Sequence, residues 1–359
     1  MKITRPFLVL FAVLLAAPAG AQGKARRDTV PVRSEAWPLK TREHVDLWLH
    51  AFALLSDDSS QVPLFRRNYR DPVTVEKNRR GIVTDFDASA DMLRSGLLKS
   101  RSLPGAQFAA LAFQSDAEME RAFDAFLAAR GDPRRASNKQ SAPAVAYLAQ
   151  YFQSEDEQEW ARRMVTSLKS ERTRFHHEFW VEEQRRRAGA LAATDSLWQQ
   201  VLRPSIDRFL SGTRQGSGEV LLTLPLEGEG RTMSFGSRQN IIAVGFPDSA
   251  AAATEAMYAL AHELVGAVVL PTIDDNLSPA QKRAGEGDRL SAIGLVRGGL
   301  MLVQKAQPQW ATGYARFYLR VARMSYAGDP VAALERAFPL NADLAATIRR
   351  QIDAAFGGI

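Results

Sequence analysis

The reactive side chains with the most suggestive setting are the adjacent His262 and Glu263, inside the stretch YALAHELVGAVVLP from Tyr258 to Pro271. An imidazole near neutral pH serves as a metal ligand or a proton acceptor, and a carboxylate beside it can act as a general base. Two side chains of one helix reach a shared ion only when they stand three or four residues apart, on one face. Four residues after His262 the chain has Gly266, which offers no side chain. The other histidines are placed less well. His44 and His50 are six residues apart and fall on different faces of their helix. His176, His177 and Glu178 are consecutive, so they point about 100 degrees apart and cannot share one ion. His44 and His50 read as surface or core positions, and the consecutive three as polar positions beside an aromatic stripe, rather than as ligands. There is no cysteine for nucleophilic catalysis, and no Gly-rich phosphate loop or serine-nucleophile elbow stands out.

Helices must position the pair. Val45, Trp48, Leu49, Phe52 and Leu55 recur at helical spacing after Thr41, a candidate N-cap. Ser115 with Glu118, and Ser154 with Glu157, predict two more helices. The first ends at GDP (Gly131 to Pro133), and the second carries the stripe Trp160, Met164, Leu168, Phe175 and Phe179 toward a stop near Gly189. A further helix is expected from Asp195 to Leu210, kinked at Pro204. Residues 41–211 therefore form a helical region, and SGTRQGSG (Ser211 to Gly218) reads as an exposed boundary. Three strands follow in EVLLTLP, RTMSF and NIIAVGFP, the first two as an antiparallel hairpin. Asp248 or Ser249 then caps an Ala-rich helix from 250 to 270, which Pro271 should end. Ser278–Pro279, Asp329–Pro330 and Asn341 open later helices around the apolar segment DRLSAIGLVRGGLMLVQ. The fold class is mainly α (α+β), with a small antiparallel sheet and a C-terminal helical bundle.

Short antiparallel strands followed at once by a helix bearing AHELVG resemble the catalytic half of a zincin, the HExxH metallopeptidase class. The separation of 24 residues between His262 and Glu286 resembles the gluzincin branch. The likeness covers residues 219 to about 325 and extends in domain terms over 219–359. In that family two histidines at i and i+4 hold zinc, and the intervening Glu activates a zinc-bound water. The resemblance implies zinc as cofactor, His262 as first metal ligand, Glu263 as general base and Glu286 as third ligand. Gly266 stands where the second histidine belongs, and Asp274 or Asp275 could complete the set. It thus implies a degenerate, non-catalytic homologue that binds a peptide or protein along its edge strand. Two alternatives stay open. One is an active zinc peptidase with a non-standard ligand set. The other is a helical scaffold or interaction protein in which Gly266, with Gly294, Gly298 and Gly299 of a later helix, lets two helices pack closely.

The first 21 residues have Lys2 and Arg5, an apolar run from Phe7 to Ala17, and Ala19 and Ala21 before Gln22. This is the pattern of a cleavable secretory signal, and the run is too short for a span of roughly 18 or more apolar residues. The protein is expected to be secreted or periplasmic, with a flexible lead-in over 22–40. No stable membrane span is expected after cleavage. Without Lys2 and Arg5 the chain has 44 basic and 40 acidic residues. That near balance, with no concentrated basic patch, argues against a nucleic-acid partner. Oligomeric state is not encoded in any motif. N-terminal sequencing of exported material should begin near Gln22; recovery of the full-length chain from a secreting host would overturn the signal reading.

Overall fold

The computed structural model describes residues 37–57, 60–235 and 239–357; the signal segment and most of the lead-in lie outside the described residues. Part of the expected lead-in is ordered. Trp37 is buried against Trp198, and its indole N–H donates to the Gln215 carbonyl at 3.1 Å. The segment then enters strand β1 (Leu39–Lys40).

The protein is mainly α-helical, as expected, with one small sheet. The N-terminal helices are α1 (Glu43–Leu55), α2 (Arg70–Arg80), α3 (Asp85–Lys99), α4 (Asp116–Ala128), α5 (Ala142–Leu148), α6 (Glu155–Glu171), α7 (His177–Arg186), α8 (Ala188–Leu197) and α9 (Arg203–Gly212). Ser115 and Ser154 cap α4 and α6 by accepting the N–H three residues on, and Glu157 closes a capping box. Gly189 is not a stop: the chain turns at Arg187 and Gly189 lies inside α8. Widened π-turns join α6 to α7 and α8 to α9. The second sits just before Pro204, whose missing N–H leaves a gap in the helical ladder.

The sheet differs from the expected hairpin. Its order is β1–β2–β4–β3, with β2 (Gly218–Thr223) parallel to both β1 and β4 (Asn240–Gly245). Strand β3 (Arg231–Ser234) runs antiparallel to β4 and forms the outer edge. The residues after β2 are diverted to another partner. Leu226 bridges Phe65, and Glu227 and Glu229 donate to the Leu64 and Pro63 carbonyls. The diversion carries the chain past β4 before it turns back.

After β4 come α10 (Ala253–Leu264), α11 (Gly266–Asn276), α12 (Pro279–Arg283), α13 (Glu286–Ala306), α14 (Ala311–Val321), α15 (Pro330–Ala337) and α16 (Ala342–Gly357). The single helix expected to Leu270 is broken at Val265, and Pro271 is tolerated inside α11 on an exposed face. The stretch Ala250–Asn276 is long and apolar enough to cross a membrane by length and composition, yet most of it is buried in the protein.

Both faces of the β2–β4 pair are covered. Val220, Leu222, Ile242 and Val244 join the core made with α8 to α16, whereas Leu221, Ile241 and Ala243 join the core of the N-terminal helices. The two helical regions are thereby packed on one sheet. Asp46 of α1 fastens them, accepting the Leu224 N–H at 2.7 Å and the Trp180 indole N–H at 2.7 Å; burial still pushes its carboxyl up to about 7. The Ser211–Gly218 boundary is a short surface connection pinned by buried Gln215, whose amide donates to the Leu264 carbonyl.

The N-terminal core holds a charged network. Glu171, fully buried, accepts from Lys77 at 2.7 Å and from Thr84 at 2.5 Å, and bonds to His50 at 3.1 Å. Burial would raise this carboxyl, but His50 and Lys77 outweigh it and hold it at about 2. Removing one partner of such a pair typically costs about 3–5 kcal/mol, because the other charge is left buried alone. Lys77→Met should lose stability on that scale in urea unfolding. Adding Glu171→Gln should recover much of the loss; additivity of the two would show that they do not interact.

Candidate functional site

Helix α10 lies under the sheet and presents its C-terminal half to β3, α13 and α14. His262 is buried, and its ring stacks on Tyr318 of α14 at 5.3 Å with an interplanar angle of 19°. Tyr318 donates to the Gly228 carbonyl at 3.1 Å, so the phenol that covers the imidazole is itself fixed. Both ring nitrogens of His262 are buried without a protein hydrogen-bond partner. Burial alone lowers its pKa to about 3, and the ring is therefore neutral at physiological pH.

Glu263 reaches the edge strand. One carboxylate oxygen accepts the Gly230 N–H at 3.1 Å and the other the Thr232 hydroxyl at 3.1 Å. Desolvation raises the carboxyl, while Arg231 and these donors pull it back. The nearest approach of His262 to Glu263 is 4.0 Å.

Glu286 is not brought to this pair. It opens α13 and accepts from Gln281 at 3.1 Å. The α13 residue that meets His262 is Gly299, where an added Cβ would stand 3.1 Å from the His262 Cα and 2.2 Å from the Tyr314 hydroxyl. Thirteen residues at 1.5 Å each put Glu286 about 20 Å away along the helix axis. Asp274 pairs with Lys282 at 2.7 Å, and both Asp274 and Asp275 are exposed at the far end of α11.

Gly266 is a different case from the glycines of α13. A Cβ there would meet only Leu295 Cδ2 at 3.5 Å and Leu270 Cδ1 at 3.9 Å, which is ordinary contact. At Gly294 and Gly298 it would come within 2.6 Å of Ile273 and 2.5 Å of Val269. Close helix packing therefore explains the small residues of α13 and does not explain Gly266.

A zinc ion needs at least three protein ligands with free lone pairs facing one point. Among the described residues no group of three His, Cys, Asp or Glu side chains is arranged to hold a metal. Here one imidazole stands without a second ligand beside it, the neighbouring carboxylate is bound to the sheet edge, and the third candidate is remote. The residues present do not fit the ion.

The remaining histidines are structural. His44 bonds to the Phe113 carbonyl, His50 joins the Glu171 network, and His177 bonds to Glu43 on the surface. His176 is fully buried beside His50, a core position rather than a polar one flanking the aromatic stripe. Sequence reasoning missed Tyr318 and Thr232, which decide what His262 and Glu263 can do. The only cue was YARFY, which puts Tyr314 and Tyr318 on one helix face.

Comparison of the chain with protein-family profiles, curated proteins and solved structures returns no match.

The lowered pKa of His262 has a defined pH signature. An unfolded imidazole titrates near 6.5, so the stabilising effect of keeping His262 neutral is whole above that pH and is lost as pH falls toward about 3. His262→Phe, which keeps the stack and deletes both unpartnered nitrogens, removes this dependence. The variant should gain on the wild type by about 2 kcal/mol between pH 7.5 and pH 5, at about 1.4 kcal/mol per unit below 6.5. Parallel stability curves for the two proteins would mean that His262 is solvated or hydrogen-bonded in solution.

Proposed function

We propose that this chain is an exported, zincin-like protein that has lost hydrolytic activity and acts by binding a peptide or protein. The observation that carries the reading is Gly266. It stands at the second-ligand position of the AHELVG helix, and packing does not require a glycine there, since a Cβ would make only ordinary contact, 3.5 Å from Leu295 Cδ2. A vacant ligand position that packing did not create is what a degenerate metal helix would leave behind. The mixed sheet supports the same reading, because its edge strand lies directly beside Glu263, where an extended segment would be held.

The reading does not call on hydrolysis by zinc-bound water: Glu263 has both oxygens engaged, and among the described residues no ligand set assembles beside it. Elemental analysis of the purified mature protein should find zinc well below one per chain. Gly266→His would set a second imidazole one turn from His262, and two such imidazoles with water in the remaining positions make a site well short of the three protein ligands of a resident zinc centre, so only weak, exchangeable zinc is expected. That variant should acquire zinc affinity that disappears in Gly266→His combined with His262→Phe. Stoichiometric zinc in the wild type would overturn the non-catalytic reading, and a folded Gly266→His without zinc would remove the argument for metal ancestry.

A further inference from the structure

The outer edge of β3 contains a built acceptor site. The Phe235 N–H donates to the Gln239 carbonyl at 2.7 Å, and the register pairs Arg231 with Ala243 and Met233 with Ile241. In an antiparallel ladder bonded and non-bonded pairs alternate, so residues 231, 233 and 235 turn their N–H groups to β4 while 230, 232 and 234 turn theirs outward. Those outward donors are the ones an added strand would use. One of them, on Gly230, is already taken by the Glu263 carboxylate, whose other oxygen accepts the Thr232 hydroxyl. Gly230 allows this approach because any side chain would collide: its Cβ would lie 3.0 Å from Glu263 Cγ and 2.3 Å from the Ala243 carbonyl oxygen.

Two convergent donors, one on each oxygen of one carboxylate, make a receptor for that group, and the Glu263 side chain retains 11% of its surface exposure, so the receptor is not sealed. Arg231, stacked on Phe108 across the strand, adds positive potential, and its Nε is buried without a partner. We infer that Glu263 is an internal occupant of a carboxylate cradle on the β3 edge, and that it holds the edge closed against an extended peptide whose terminal carboxylate fits the same donors. The inference rests on the binding reading above and specifies its regulation. Exchange is balanced: the incoming carboxylate replaces the Glu263 carboxylate on the Gly230 and Thr232 donors, its chain continues beside β3 toward Ser234, and Glu263 moves to solvent.

Two measurements test it. Glu263→Ala deletes a Cγ and its carboxylate, so acetate is the missing fragment. Acetate should raise the melting temperature of the variant by several degrees at constant ionic strength, and leave the wild type unchanged. Acetamide should have no effect, and Thr232→Val in the same background should weaken the rescue. A fluorescein-labelled alanine-rich peptide with a free C-terminal carboxylate should bind Glu263→Ala about tenfold more tightly than wild type, since about 1.4 kcal/mol of competing hydrogen bonding is removed. The C-terminally amidated peptide should show no such gain. If Glu263→Ala does not fold, Glu263→Gln keeps the shape while placing amide hydrogens against these donors, and the same peptide difference is expected. Equal effects of acetate and acetamide, or equal peptide binding by wild type and variant, would overturn the cradle. Zinc content of the wild type is a separate readout, so failure of the non-catalytic reading would leave the acetate result standing.

Discussion

The parallel pair β2 and β4 is the constraint from which the rest of this structure follows, because neither face of it is available to water. Alternate residues along each strand feed opposite cores: Val220 and Ile242 toward the C-terminal helices, Leu221 and Ile241 toward the N-terminal ones. A strand buried on both faces reads as a continuous apolar run, as EVLLTL and NIIAVG do. Such a pair needs a helical layer on each side. The N-terminal helices are therefore one of the two covers that let the sheet exist, and they cannot be a dispensable extension. Asp46 shows the same dependence at the level of a single bond, since a carboxylate from α1 satisfies the Leu224 N–H beyond the end of β2.

Placing the sheet between two cores leaves few positions for charge, and the protein handles them in contrasting ways. Glu171 is surrounded by Lys77, Thr84 and His50 and stays ionised far below the usual carboxylate range. Asp46 has only neutral N–H partners, and burial pushes it to about 7. The difference is the presence of a cation within hydrogen-bond distance, which outweighs desolvation in one case and is missing in the other. His262 is the limiting case. With no partner at all it remains in the core only as the neutral ring, held by its stack on Tyr318.

Local signals were legible in the sequence and non-local pairings were not. Ser115, Ser154 with Glu157, Ser278 with Gln281, and Asp329 all cap the helices they were expected to cap, because a cap depends on residues three positions away. The hairpin of β2 and β3 was the natural reading of a short glycine-containing connection. It failed because Leu226 to Glu229 pair with residues 63–65, more than 160 positions earlier in the chain. Glu286 failed similarly. Its sequence separation from His262 suited a third ligand, but α11 and α12 use up that length and deliver it to the wrong end of α13. His262 and Glu263 were found from their types alone. What they touch was set by Tyr318 and Thr232, which lie on other elements; YARFY places Tyr318 on a face of its own helix but says nothing of the residue that face meets.

The two members of the pair also meet different physical demands, and this accounts for their present environments on the reading proposed. An imidazole without a metal can be accommodated by burial, because its neutral form costs only the unmade hydrogen bonds of two nitrogens. A carboxylate cannot be handled in that way without protonating or finding donors. The nearest donors to the C-terminal half of α10 are those of the unpaired strand edge, which carries the opposite deficit: N–H groups with no acceptor. Glu263 and β3 satisfy each other. The contact removes an exposed edge that would otherwise invite strand addition, and it does so with a group that a competing carboxylate can replace. The presence of Glu263 on α10 is thus explained by the sheet edge it caps.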